Sequence, residues 1–88
     1  MEITEIKLRK AFYGAPLEAV YSVTFDNELV VHGVKLVRKD GGPLVVMPAR
    51  MTQEGVRRDV VHPVTSDFRR KIEEQIVNYH NNIYTNEQ

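Results

Sequence analysis

Apolar and polar residues alternate from the start of the chain. Between residues 2 and 13, Thr4, Ile6, Leu8 and Phe12 fall on one side, and Glu5, Lys7 and Arg9 on the other. A period of two predicts a strand. Gly14-Ala15-Pro16 interrupts it with turn chemistry. Leu17, Ala19, Tyr21, Val23 and Phe25 then share a face, opposite Glu18, Ser22, Thr24 and Asp26, which gives a second strand. Asp26-Asn27 suits a hairpin turn, because both residues tolerate left-handed backbone angles. Leu29 to Arg38, rich in Val, predicts a third strand, and Lys39-Asp40-Gly41-Gly42-Pro43 a turn. Leu44 to Ala49 predicts a fourth strand, with Pro48 marking a strand end or a sheet edge. After a connection at Thr52 to Gly55, Val56 to Val61 predicts a short fifth strand.

The period changes after His62-Pro63. Phe68, Ile72, Ile76, Tyr79 and Ile83 recur every three or four residues, one apolar stripe on a helix of about 18 residues. Thr65 or Ser66 is placed to cap it, with Asp67 favourable in the first turn. Asn81-Asn82 and the last residues should fray. The reading is a single domain over residues 1–84 with a frayed tail at 85–88.

Strands first and one long helix last, joined by short connections, give an α+β class: an antiparallel sheet of four to five strands followed by a C-terminal amphipathic helix. The third strand is apolar on both faces, with Val30, Val34 and Leu36 on one and Leu29, Val31 and Val37 on the other. The fourth repeats this, Leu44 and Val46 against Val45 and Met47. One helix covers one face of a sheet. The second face needs bent strands and loops to cover it, or a second copy of the chain, and we expect a homodimer. A chain of 88 residues buries only a little over ~60% of its unfolded surface, so sharing a core widens a thin margin.

Composition narrows the chemistry. There is no Cys, which excludes disulfides, thiolate zinc sites and cysteine nucleophiles. The longest apolar run, Leu44 to Ala49, is far short of the ~20 residues of a membrane helix. No basic-then-apolar leader opens the chain, so the expected address is cytoplasmic, with no membrane partner. No GxSxG or glycine-rich phosphate loop appears, and no enzyme, cofactor or small-molecule substrate is expected. His32, read as a hydrogen-bonded core or rim residue, would join Asp59 and His62 in a metal site only if the third and fifth strands were neighbours. Asp59 and His62 are otherwise read as structural, shaping the passage from sheet to helix.

The charges balance at twelve of each sign, but not locally. Arg50, Arg57, Arg58, Arg69, Arg70 and Lys71 share a window with Glu54, Asp59 and Asp67. Arginine suits bidentate phosphate contact. Arg69-Arg70-Lys71 lies at the helix start, where cations oppose the macrodipole and a bound phosphate would compensate them. A solvated helix face, with Arg69 and Arg70 paired to Glu73 and Glu74, fits the same residues.

These segments together resemble the SpoVG family of bacterial septation and sporulation proteins. The resemblance rests on Glu2-Ile3-Thr4 to Leu8-Arg9, Phe25 to His32, Val46-Met47-Pro48-Ala49-Arg50, Gly55 with Arg58-Asp59-Val60-Val61-His62-Pro63, and Arg69 to Tyr79. It implies a dimeric α+β regulator that binds DNA and RNA and is linked to septation, cell division and sporulation control. The positions that match its basic nucleic-acid-binding residues are Arg50, Arg58, Arg69, Arg70 and Lys71. The alternative is a protein–protein interaction module of the division machinery without nucleic-acid binding, using a sheet edge or apolar face.

Overall fold

A computed structural model describes residues 1–12 and 16–86, with side chains to residue 83. Tyr13 and the Gly14-Ala15 part of the predicted turn lie outside the described residues, as do Glu87 and Gln88 of the predicted tail.

Four strands form an antiparallel meander: β1 (Ile3–Ala11), β2 (Leu17–Phe25), β3 (Leu29–Lys39) and β4 (Gly42–Val46), paired in that order. Asp26 and Asn27 both take positive φ, 53° and 55°, between β2 and β3. The right-handed twist of a two-residue hairpin favours that geometry. The turn is tied to β1: Asp26 Oδ1 accepts the Glu2 N–H at 2.8 Å, and Thr4 Oγ1 accepts the Asn27 N–H at 2.9 Å.

The predicted fourth strand is divided. β4 stops at Val46, and β5 (Ala49–Met51) begins after Pro48. Proline has no N–H for a ladder, so the chain leaves the sheet there. β5 pairs with β6 (Arg57–Asp59) in a separate two-stranded sheet, so the predicted fifth strand never joins the meander. The last element, α1 (Ser66–Asn86), runs through Asn81 and Asn82. Thr65 caps it: its Oγ1 accepts the Phe68 N–H at 3.2 Å, and its carbonyl accepts the Arg69 N–H at 3.1 Å.

Helix α1 lies over one sheet face, near β4 and β1. The core between them holds Ala19, Tyr21, Val23 and Phe25 of β2, Val31, Val34 and Leu36 of β3, Val45, Met47, and Ile72 and Ile76 of the helix. Here one expectation is corrected. Two residues of β3, His32 and Gly33, stand opposite Ser22 alone, because Tyr21 pairs with Val34 and Val23 with Val31. This bulge switches the facing of the strand. Leu29 and Val31 therefore share the helix side with Val34 and Leu36, whereas Val30 and Val37 lie on the outer face. The outer face is mixed: Val30, Val37, Leu44 and Val46 occupy its β3–β4 half, and Lys7, Arg9 and Lys10 its β1 edge.

Candidate functional site

The hairpin β5–β6 is built from a sequence with little to bury. All of its residues except Ala49 and Thr52 are exposed. Thr52 holds the turn: it accepts the Gly55 N–H on its carbonyl at 3.0 Å and the Val56 N–H on Oγ1 at 3.0 Å. The hairpin is fastened to the sheet end through the Val60 N–H on the Pro48 carbonyl and through Arg57 Nη2 on the Met47 carbonyl.

The register of this hairpin sets Arg50 directly opposite Arg58. Like charges in that position are destabilising. Nothing neutralises them: among the described residues neither Arg50 nor Arg58 forms an ion pair, and Arg69 forms none either. Arg57, Arg58, Asp59, His62 and Arg69 line one open depression. Arg50, Thr52, Arg58, Asp59 and Val60 line a second, so Arg58 and Asp59 form a wall common to both. The Asp59 carboxylate is engaged by Arg57 at 3.4 Å. The result is three guanidiniums without an ion pair among the described residues, Arg50 and Arg58 around one depression and Arg58 and Arg69 around the other.

The other two predicted residues stand elsewhere. Arg70 faces Asp67 at 3.9 Å and lines a groove with Glu73 and Glu74, a quarter-turn or more from Arg69. Lys71 is half-buried and ties the helix to the chain start: its Nζ donates to Glu2 Oε1 at 2.7 Å and to the Met1 carbonyl at 3.2 Å. The Arg69–Glu73 and Arg70–Glu74 pairs of the alternative, solvated-face reading do not form among the described residues.

The histidines separate. His62 is exposed on the wall of the arginine depression. His32 is exposed on the outer sheet face, on Ser22. Because β6 pairs with β5 and not β3, the neighbouring strands that a His32–Asp59–His62 metal site requires are not present. His80, which the helix stripe passes over, is buried. Its Nδ1 is hydrogen-bonded with the Tyr21 hydroxyl at 2.5 Å, and its Nε2 faces Glu18 Oε2 at 3.5 Å. The signal was available: His80 lies four residues after Ile76, on the same helix face.

A family model for SpoVG matches residues 1–82. The chain belongs to the SpoVG family. It is 44% identical over 77 residues to the SpoVG protein of Thermoanaerobacter sp. strain X514, covering 88% of this chain and 84% of the relative. It is 40% identical over 83 residues to that of Acetivibrio thermocellus, covering 94% and 88%. The SpoVG protein of Clostridium botulinum strain Alaska E43 is 40% identical over 77 residues. The name of these relatives refers to septation. The SpoVG match takes in the meander, the arginine hairpin and most of α1.

Proposed function

We propose that this SpoVG-family protein is a nucleic-acid-binding regulator, non-catalytic and homodimeric, linked to septation and sporulation control as its relatives' name suggests. It holds the phosphate backbone of DNA or RNA with Arg50, Arg58 and Arg69. Arg70 and Lys71 add charge at a distance. The observation that carries the reading is the Arg50–Arg58 cross-strand pair, with Arg69 across a depression from Arg58 and, among the described residues, no ion pair on any of the three. A phosphate accepts from guanidiniums in bidentate fashion and removes their mutual repulsion. Contacts of this kind position a protein without reading sequence, so specificity should be loose.

The second copy is assigned to the apolar surface around the hairpin, where Met51, Val56, Val60 and Val64 are exposed, Val64 at 88%. Among the described residues no helix is long and apolar enough to cross a membrane. A cytoplasmic address follows from the proposed ligand.

The same exposed side chains favour the second reading, a module that docks on a division protein. Fluorescence anisotropy with labelled oligonucleotides separates the two. The nucleic-acid reading predicts binding of unrelated sequences with similar affinity, and weakening by Arg58→Ala. Absence of binding to single- and double-stranded DNA and RNA at low salt would leave the docking module in its place.

A further inference from the structure

A second set of basic strand residues lies away from the arginine hairpin, on β1 and β3. On the outer sheet face, Ser22 is buried at 3% although it lies on the side away from the helix. Two polar side chains converge on it. Arg9 Nε donates to Ser22 Oγ at 2.9 Å, and Ser22 Oγ lies 2.8 Å from His32 Nδ1. A serine hydroxyl has one proton and two lone pairs, so Ser22 serves both side chains at once. The two Nη groups of Arg9 and the Nε2 of His32 keep no partner among the described residues. Lys7 stands opposite Ser22 in the ladder, and Lys10 opposite Val20. Lys35, also opposite Val20 on the other side, completes the row. Glu5, opposite Thr24, is the acid that shares this face of β1.

We propose that this face is a second phosphate-binding surface, in which Ser22 fixes Arg9 and His32 as a cradle and Lys7, Lys10 and Lys35 continue the contact along a single strand of nucleic acid. It rests on the nucleic-acid reading above but uses none of its residues. Charge decides the occupant. A second copy packed here about a two-fold axis would set one face carrying Lys7, Arg9, Lys10 and Lys35 against another, which like-charge repulsion opposes. A single strand fits better than a duplex. Val20, Val30 and Val37 lie beside the cations, and unstacked bases can rest on apolar side chains while the phosphates meet the charges.

The bulge explains how the cradle arises. Without Gly33 at φ 81°, alternation would send His32 and Val31 to the opposite faces, and His32 would enter the core. The device that corrects the packing of β3 also delivers His32 to Ser22.

The test is titration of a labelled 20-nucleotide poly-dT across a salt series. Three exposed substitutions, Lys7→Gln, Arg9→Gln and Lys35→Gln together, should lower the log–log salt slope by about 2, at ~0.7 per single-strand contact. Ser22→Ala keeps every charge but releases the cradle, so it should weaken binding several-fold with the slope unchanged. On the unmodified protein, poly-dT should shift the backbone amides of Lys7, Ser22, His32 and Lys35. Wild-type affinity and slope in the triple variant, unmoved amides on β1–β3, or wild-type affinity in Ser22→Ala would overturn the proposal. If those appear while Arg50→Ala with Arg58→Ala still weakens binding, the hairpin reading survives alone. A wild-type protein that binds no oligonucleotide overturns both. Equal competition by poly-glutamate would overturn it in favour of an acidic protein partner.

Discussion

His80 closes the far end of the helix against the sheet. The Glu18 carboxylate, 3.5 Å from Nε2, favours a proton on that nitrogen, and with the proton there Nδ1 accepts from the Tyr21 hydroxyl. Glu18 is held in turn by Arg38. Burial pushes the His80 pKa below its ordinary value, Glu18 pulls it up, and Arg38 pushes it down again. The lowered value fixes the sign of the pH dependence. Below about pH 6.5 the unfolded chain takes up a proton that folded His80 resists, so stability is full above that pH and is lost as pH falls through the depressed value. Chemical denaturation between pH 5 and 8 should show this slope in the wild type and a flatter profile in His80→Gln. A His80→Gln profile with the wild-type slope would assign the dependence to other groups. The place of His80 on the core face was legible from its spacing to Ile76, but its partner was not, because the Tyr21 hydroxyl arrives from a distant strand. Lys71 shows the same limit. It looks like a third member of a cationic triplet, and only the arrival of Glu2 and the Met1 carbonyl from the other end of the chain turns it into a tether.

At the scale of elements, the first two strands, the Asp26-Asn27 turn and the helix follow from local pattern, since alternation, left-handed turn residues and a stripe every three or four positions each depend on near neighbours. The facing of β3 does not. Alternation counted from Val34 puts Val30 inside, and the extra residue at His32-Gly33 puts Val31 there instead. A bulge depends on the partner strand, so it leaves no mark on the pattern beyond the glycine itself. Gly33 has φ 81°, where an added Cβ is strained although the nearest atom, the Pro48 Cβ, would be at an ordinary 3.7 Å. Gly33→Ala should therefore cost about 1–2 kcal/mol through backbone strain rather than clash. Urea denaturation measures this. An unchanged midpoint would mean that β3 bends without help from its glycine. Pro48 was legible as an interruption, but not that the chain beyond it would pair only with itself in a hairpin that carries the arginines.

The whole molecule leaves two kinds of surface uncovered, one apolar and one cationic. Met51, Val56, Val60 and Val64 are exposed and close in sequence, and the proposed dimer would cover them. Light scattering at micromolar concentration should give about twice 10.2 kDa. Val60→Asp with Val64→Asp should return the mass to that of one chain; a wild-type monomer would remove the dimer. The cationic surface matters more for function, and a net charge of zero conceals it. Sign and window select six residues and the family resemblance five of them, but the fold sorts those five. Arg50, Arg58 and Arg69 stand unpaired around shared depressions, while Arg70 and Lys71 are occupied by Asp67 and Glu2. Sorting of this kind needs the β5–β6 register and the reach of the chain start, neither of which spacing encodes. The most direct test compares the salt dependence of duplex-DNA binding in two folded variants, Arg50→Ala with Arg58→Ala and Arg69→Ala, and Arg70→Ala with Lys71→Ala. The first should flatten the log–log slope by about 2–3, at ~0.9 per lost contact, and the second by well under one contact. Equal loss in both, or a larger loss in the second, would contradict the assignment of the phosphate contact to the hairpin and Arg69.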